Sequence, residues 1–528
     1  MALLQILRGL ASGPASRENG PGAGGAYKTE RALFVGALVL VSILGIGLRA
    51  GFLSKPYYQV DEGVTLAIAT GLDLPSRWTT NWANYDVPPE FRYDEFNFSS
   101  YHYLAHGWLQ AVGWAGPKES RLTVLRALNL PLALAALIFT ALAARHVFGW
   151  LPGVFAAAVV AVLPILVQDA HYARCDSMLT AGVAALVWLL APGAIRARWH
   201  WVLIGAVAGW LVACKFSLVL VGPFLLGAVA ADHAGRASPW ADACRCCGWL
   251  LLGGVVGVAL GMPGALADPH AFLRGVRTLR AYYDGFHPPY SLPDRGPVVG
   301  LLAVYIGTIV GPGILGLAGL GAAYAGYRLP KTWVGGLLGA LVVPFVVFGA
   351  QSFIAERNLS PFLPLMVFLA AGGAAQVLAW LTRFLRVAGR WVPAIAALVL
   401  LVTLAAPFNL SLRMVTRGFS LKEQQEQNAF VQRVAADAAK QKLVFASGSL
   451  ADAEGLALAE AVLRDGPTLF AIYDFQDDNT KGYVARLARV HNGRVVATRE
   501  GLFPGLPCCT LTTMISARIL VVQCGTPK

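Results

Sequence analysis

The feature that most constrains this chain is a series of apolar runs, most of them about as long as the hydrocarbon core of a bilayer is thick. Of the 528 residues, 56% are hydrophobic and only 13% are charged, and the mean hydropathy is +0.59. A soluble globular domain has a much smaller apolar share. We therefore predict a polytopic membrane protein, mostly α-helical.

Charge and cysteine content exclude two other classes of function. The formal net charge of +13 comes from Lys and Arg that fall mostly in short loops between apolar runs, where they set membrane topology. Nucleic-acid binding is therefore not predicted. The eight cysteines are few for a metal or redox framework, so we predict neither kind of framework.

Counting the apolar runs predicts about eleven membrane spans. The run 201–231 is too long for one helix and carries Lys215 in its middle. A hairpin of two short helices there keeps all the basic loops on the cytoplasmic side, whereas a single span would place two of them outside. We therefore choose the hairpin. The spans are then 33–53, 123–145, 151–168, 177–195, two within 201–231, 247–263, 298–325, 334–352, 361–381 and 392–410.

The regions outside the spans differ in composition. Residues 1–30 resemble a cytoplasmic tail, and 31–410 form the predicted membrane domain. Its first outer loop, 54–120, is rich in aromatic residues, and we expect amphipathic helices along the membrane surface there. The tryptophans on which this depends are Trp78, Trp82, Trp108 and Trp114.

Residues 411–528 are predicted to form a small extracytoplasmic α/β domain. Helical patterns at 421–442, 450–464 and 479–491 alternate with strand patterns at 443–445, 468–473, 494–498 and 517–523. Such alternation is typical of a largely parallel sheet. Cys508 or Cys509 could pair with Cys524 in an oxidising compartment, and free buried thiols are the equal alternative.

Charged residues collect where the predicted spans meet the outer side. They are Asp61, Glu62, His171, Arg174, Asp176, Lys215, Glu356 and Arg357. Placing a charge near membrane depth costs about 2.5–3.5 kcal/mol on insertion scales. Acids beside bases suit a reaction in which a carboxylate accepts a proton from a nucleophile while cations hold a departing anion.

In their order along the chain these residues resemble a known enzyme family. The order continues with Arg126 in Leu125–Asn129, Gly149, Pro164 before Ala173–Asp176, Lys215, and the run Glu356–Pro364. Together they resemble the C-type (GT-C) membrane glycosyltransferases, in particular the protein O-mannosyltransferase and aminoarabinose-transferase group, over about residues 30–380. The resemblance implies a GT-C bundle and a hexosyl- or pentosyltransferase that uses a polyprenyl-phosphate sugar.

The resemblance also implies roles for individual residues. Asp61 is expected to be the general base, with Glu62 beside it in the catalytic group and Asp176 positioning the acceptor or supporting the base. The donor phosphate is expected to contact Arg357, Lys215, Arg174 and Arg126. Weaker sugar or acceptor contacts are expected from Tyr58, His102 and His287. Such enzymes invert the anomeric centre in one displacement, with the lipid phosphate as leaving group.

The chain departs from the family at one motif. The Lys-Pro-Pro-like motif of the aminoarabinose transferases is missing, and Asn97–His102 stands in its place. A lipid A acceptor and a metal site are therefore not carried over; no metal ligand is predicted, and a divalent cation stays open. The acceptor is a protein, a glycolipid or a polysaccharide. The expected location is the bacterial inner membrane, with the site and the C-terminal domain outside the cytoplasm.

Each candidate residue also has a plainer interpretation. Asp61 and Asp176 could be helix N-caps, Lys215 could snorkel to the interface, and Arg357 could pair with Glu356. His102 and His106 are four residues apart, and packing or an acceptor contact is favoured over a metal ion shared by the two. The alternative function is a transporter or flippase of a lipid-linked saccharide. Inverted repeats and paired broken helices are typical of transporters, and the sequence has no repeat and one candidate broken segment.

Overall fold

The structure is a computed structural model. It describes residues 23–54, 60–70, 100–113, 116–194, 197–234, 238–267, 269–270, 272–273, 275–277, 296–352, 354–384, 391–437, 441–447, 461–464, 466–474, 478–502 and 518–525. Tyr58, Trp78, Trp82, Trp114, His287, Cys508 and Cys509 lie outside the described residues, and so does most of the predicted tail.

Two compact units divide the chain. The first contains Met1–Arg280, Val310–Pro344 and Arg357–Phe408, and the second contains Ala281–Ile309, Phe345–Glu356 and Asn409–Lys528. The helices before residue 414 are α1 Ala23–Ala50, α2 Val60–Ala69, α3 Ser100–Val112, α4 Lys118–Phe148, α5 Trp150–Val162, α6 Pro164–Ala170, α7 Asp176–Leu189, α8 Arg198–Cys214, α9 Gly222–His233, α10 Pro239–Gly261, α11 Pro263–Ala267, α12 Val299–Val310, α13 Pro312–Arg328, α14 Lys331–Gly349, α15 Leu363–Phe384 and α16 Val392–Arg413.

The mostly helical, polytopic architecture predicted from hydropathy is confirmed. Among the described residues, seven helices are long and apolar enough to cross a membrane, or nine if each of two broken pairs counts as one span. Two shorter apolar helices, α7 and α8, follow in the same region. Each of the eleven predicted spans therefore corresponds to a helix, a broken pair or a short apolar helix.

Proline and glycine account for the broken spans. The helix axis bends by 59° between α5 and α6, at Leu163, which adopts an extended conformation. The residue before a proline avoids the α region, and Pro164 has no N–H to continue the helix. The predicted span 298–325 is likewise interrupted at Gly311, whose φ of 84° favours glycine, followed by Pro312.

The run 201–231 contains two helices with a break at Lys215. Residue 215 has extended backbone angles, φ −151° and ψ 115°, between α8 and a 3₁₀ helix, Phe216–Val221, that leads into α9. Helix α8 packs closely on α10 because glycines face each other. A Cβ atom on Gly209 would lie 2.1 Å from the carbonyl oxygen of Gly254.

The first loop contains two short helices that pack on the bundle. Leu66 of α2 and Tyr101 of α3 lie in one buried cluster with Leu125 of α4. The Trp108 indole N–H donates to the carbonyl oxygen of Val124 at 2.9 Å. Both helices therefore have fixed positions against α4, which sets the place of Asp61.

The second unit contains a four-stranded sheet with helices on both faces. From residue 414 on, the described elements of this unit are a π-helical turn Met414–Phe419, α17 Lys422–Asp437, β1 Lys442–Ser447, β2 Thr468–Asp474, α18 Asp478–His491, β3 Arg494–Arg499 and β4 Arg518–Cys524. The strand order is β1-β2-β4-β3. One core cluster joins Val431 of α17 to Leu469 and Val521, and another joins Leu487 of α18 to Phe470.

The prediction of a largely parallel sheet is wrong in one respect. Strands β1, β2 and β3 run in the same direction, as helical connections require, but β4 runs the opposite way between β2 and β3. The pairs β2–β4 and β4–β3 are therefore antiparallel. An apolar run such as Ile519–Val522 predicts a buried central strand, but it contains no information about strand direction.

Candidate active site

Asp61 and Arg357 form an ion pair although 296 residues separate them. Asp61 lies in the first turn of α2, and Arg357 lies in a 3₁₀ turn, Glu356–Asn358, that precedes α15. The Arg357 Nη1 donates to Asp61 Oδ2, and 45% of the Asp61 side chain is exposed. The structure thus brings together the predicted base and the foremost predicted phosphate ligand.

The charges around Asp61 keep it ionised. Burial disfavours the carboxylate, but the positive charges of Arg357, Arg174 and Lys215 outweigh this effect and hold the pKa of Asp61 below its usual value. The hydrogen bond from Arg357 acts in the same direction. At neutral pH the side chain is therefore a carboxylate that can accept a proton.

Asp176 and two cations form the second part of the site. Asp176 begins α7 and is buried; its oxygens lie 3.4 Å from Arg174 Nε and 3.7 Å from Lys215 Nζ. Cys175, not Asp176, occupies the N-cap position of this helix, so the plainer N-cap interpretation of Asp176 is wrong. The sequence reasoning placed these three residues at one membrane face, and the structure places them in contact.

Lys215 projects into this cluster from the break between α8 and the 3₁₀ helix. Its Nζ donates to Asn358 Oδ1 at 2.7 Å, and 20% of its side chain is exposed. Because the extended residue interrupts the helix, the ammonium group reaches Asn358 and Asp176 instead of lying along the outer face of α8. Snorkelling to the interface does not describe this contact.

Two residues of the site were missed by sequence reasoning. Asp169, in α6, is buried and accepts a hydrogen bond from Arg174 Nη2 at 3.0 Å. Asn358 is buried and holds Lys215. Asp169 had a detectable signal, because it is a carboxylate at the end of the apolar run 151–168. Asn358 had none beyond its position next to Arg357.

Glu62 and Arg126 form a fully buried pair beside the site. Arg126 Nε and Nη2 donate to the two carboxylate oxygens at 2.8 and 3.0 Å, and neither side chain has exposed surface. Arg126 was predicted to bind donor phosphate. The structure contradicts that prediction, because its guanidinium is enclosed and hydrogen-bonded in bidentate fashion to Glu62.

The remaining predicted contacts have different outcomes. His102 lies in α3, and burial lowers the pKa of His102 to about 4 although the charge of Asp61 acts in the opposite direction. His102 is therefore neutral at pH 7 and within electrostatic range of Asp61. Tyr58 and His287 lie outside the described residues, so their predicted roles stay predictions.

The polar groups of this site do not form a metal-binding arrangement. Within the described part of the chain, no three His, Cys, Asp or Glu side chains are placed to hold a metal ion together. The acids of the site are instead paired with Arg174, Lys215 and Arg357. Such a cluster can accept a proton and bind an anion within one site.

Comparison with known structures gives partial likenesses. The Archaeoglobus fulgidus oligosaccharyltransferase in the apo form aligns with a TM-score of 0.47 and 14% identity, over 72% of this chain and 55% of that chain. The alignment therefore spans only about half the length of that protein. ArnT from Cupriavidus metallidurans in the apo state has a TM-score of 0.47 and 14% identity over 94% of this chain and 98% of that chain; bound to undecaprenyl phosphate, the TM-score is 0.44.

Comparison of sequences gives a family match for one part of the chain. No curated protein sequence matches significantly. Residues 105–263 match the family model described as dolichyl-phosphate-mannose-protein mannosyltransferase, and this segment contains Arg126, Arg174, Asp176 and Lys215. The match confirms the resemblance of this chain to the C-type membrane glycosyltransferases.

Proposed function

We propose that this protein is an inverting glycosyltransferase that moves a sugar from a polyprenyl-phosphate donor to an acceptor at the extracytoplasmic face of the membrane. The observation that carries the proposal is the ion pair of Asp61 with Arg357, next to the cluster of Asp176, Arg174 and Lys215. A candidate base and candidate anion ligands meet where several helices end. The family match over residues 105–263 supports transfer from a lipid-linked donor.

The donor phosphate is assigned to Arg357 and Lys215. Their side chains are 31% and 20% exposed, so an anion can reach both. Arg174 is only 4% exposed and is shared between Asp169 and Asp176, so its positive charge acts on the site without direct phosphate contact. Cations near a leaving phosphate stabilise the negative charge that grows in the transition state.

Transfer requires one bond to form while another breaks. The acceptor oxygen or nitrogen attacks the anomeric carbon as the bond from that carbon to the phosphate oxygen breaks, which inverts the centre. Asp61 takes the acceptor proton, and the bonding electrons leave with the phosphate, near Arg357 and Lys215. Asp176 is buried and supports the base indirectly, because it holds Arg174 and Lys215, whose charges act on Asp61.

Donor binding would also strengthen the base. Without donor, Arg357 is hydrogen-bonded to Asp61, and this contact lowers the proton affinity of the carboxylate. A phosphate that draws the guanidinium away removes part of that effect. Asp61 then becomes a better proton acceptor only when a donor is present, which disfavours proton uptake in an empty site.

The finer assignments extend the same proposal. The transferred group is a hexose or pentose, with His102, Tyr58 and His287 as weak sugar or acceptor contacts. The acceptor is a protein, a glycolipid or a polysaccharide. The location is the bacterial inner membrane, with the C-terminal unit outside the cytoplasm.

A turnover assay tests the proposal. Purified protein is incubated with a panel of polyprenyl-phosphate sugars and candidate acceptors, and released polyprenyl phosphate is measured. The expected result is release with one donor class, reduced about 100- to 10,000-fold by Asp61→Asn, as expected for loss of a general base. Folded protein that releases no lipid phosphate from any donor, but moves a lipid-linked saccharide across vesicles, would support the transporter alternative.

A further inference from the structure

The buried carboxylate of Glu62 connects several segments of the site. It receives two hydrogen bonds from Arg126 and one from the backbone N–H of Ala173, at 2.8 Å. Arg126 Nη1 also donates to the carbonyl oxygen of Leu53, at 2.8 Å. Glu62 has no exposed surface, so it cannot contact a donor or an acceptor. Any effect of Glu62 on transfer must act through the groups that it holds.

The groups held by Glu62 carry two acids of the site, Asp61 and Asp176. Glu62 follows Asp61 in α2, and Ala173 precedes Arg174 in the turn His171–Cys175 that leads to Asp176. One side chain therefore connects the helix of the base to the turn that carries the second acid.

Other buried side chains hold the same turn. His171 contacts the carbonyl oxygen of Gly51 at 2.8 Å, and the Asn129 amide donates to the carbonyl oxygen of Tyr172. Three successive residues of the turn are thus bonded to three different parts of the chain. A catalytic group must be held to within a fraction of an ångström, and such buried contacts supply that precision.

We propose that Glu62 is a positioning residue, which fixes Asp61 relative to the turn that carries Arg174 and Asp176 while Arg126 neutralises its charge. The expectation that Glu62 belongs to the catalytic group is thereby revised. The role of Asp61 in this proposal rests on the proposed function, whereas the connection of helix and turn does not.

The chemistry of a buried ion pair suggests the variants. Removing one partner leaves an uncompensated buried charge, but replacing both with neutral groups is often tolerated. Glu62→Gln keeps an oxygen that can accept from Ala173, and Glu62→Gln with Arg126→Gln restores neutrality. A matched control is Arg245→Gln, which removes an arginine that is 60% exposed and paired with Asp242.

The first measurement does not depend on activity. Cys175, half-buried in the turn, is alkylated with N-ethylmaleimide in the full-length protein and quantified by mass spectrometry. Each single variant is expected to react several-fold faster at Cys175 than wild type, and the double variant and Arg245→Gln at about the wild-type rate. Cys524, buried in the core of the second unit, should stay protected throughout and so reports whether that unit stays folded.

The second measurement separates positioning from proton transfer. The single variants are expected to lose about 100-fold in kcat, as for small displacements of reacting groups, with little change in donor KM. The double variant should recover most of kcat with the wild-type pH profile. A well-ordered double variant as inactive as Asp61→Asn would refute the positioning role, because restored neutrality and order would then not restore transfer. Cys175 reactivity unchanged in the single variants would refute the connection. A wild-type protein without transferase activity would refute the proposed function, while the Cys175 measurement would still test the connection.

Discussion

Replacing Arg357 with methionine tests the central contact of the site. The substitution keeps an apolar stem but removes the guanidinium that bonds to Asp61 and that we assign to the donor phosphate. Charge-assisted hydrogen bonds contribute about 1.5–3 kcal/mol each. Because 31% of the side chain is exposed to screening solvent, we expect the loss of one such bond near the lower end of that range.

The expected loss of interaction free energy can be converted into a change in kcat/KM. A free-energy difference of about 1.4 kcal/mol corresponds to a factor of ten, so a loss near the lower end of the range should reduce kcat/KM for the donor about 10-fold. Most of the loss should appear as a higher KM for the donor, because the substitution weakens donor binding. Arg357→Lys retains the charge without the planar fork, so its loss should be smaller.

The same variant should change the pH dependence. Burial raises the pKa of Asp61, and the Arg357 charge is foremost among the opposing effects that hold it below its usual value. Without Arg357 that pKa rises. The carboxylate form of Asp61, which acts as the base, predominates only above its pKa. The acid limb of the pH profile of kcat/KM should therefore move to higher pH in the variant.

The release of polyprenyl phosphate is measured against donor concentration and pH. These measurements give the two quantities of interest, kcat/KM for the donor and the pH at which activity falls on the acid side. Arg328→Met is the control, because Arg328 ends α13 and its guanidinium lies over the ring of Tyr324. It should leave both quantities at wild-type values. An Arg357→Met protein that is folded, with unchanged donor dependence and an unmoved acid limb, would contradict the assignment.

Three further outcomes are expected. Lys215→Met should weaken donor use by about 10-fold or more, measured as kcat/KM, because it removes a 20%-exposed cation from the proposed phosphate position; unchanged donor use would reject that position. Gly209→Ala should reduce stability by about 1–3 kcal/mol, because its Cβ would overlap α10, whereas Gly248→Ala has open space and should not; equal melting temperatures would reject this packing. Cys524 should resist alkylation at pH 8 in folded protein, because burial raises its pKa to about 11; rapid labelling without unfolding would contradict its buried position.

Local sequence patterns predicted the positions of the helices and strands more reliably than they predicted how these elements pair with one another. Each span predicted from hydropathy coincides with a helix, a broken helix pair or a short apolar helix, and the charge in the middle of 201–231 predicted the break at Lys215. The strand patterns likewise predicted β1 to β4. The predicted strand directions were partly wrong, because β4 is antiparallel to both of its neighbours. Nothing in the apolar residues of β4 encodes its direction.

The candidate site shows the same division. Its acids and cations were recognisable because charge near a membrane is costly, and this cost depends on the residue and its local surroundings. The sequence did not show which cation pairs with which acid. Arg126 and Arg357 look alike in sequence, yet one is enclosed with Glu62 and the other reaches Asp61.

By itself, therefore, the sequence determined a polytopic membrane protein with acids and cations near the ends of its spans. Only the tertiary structure decided which cation is exposed to an anion, which acid is enclosed, and that Asp169 and Asn358 belong to the site. The physical reason is the distance along the chain over which each kind of interaction acts. Hydrophobicity and helix breaking act within a few residues, whereas ion pairs form across hundreds of residues, at distances that are set by how the helices pack.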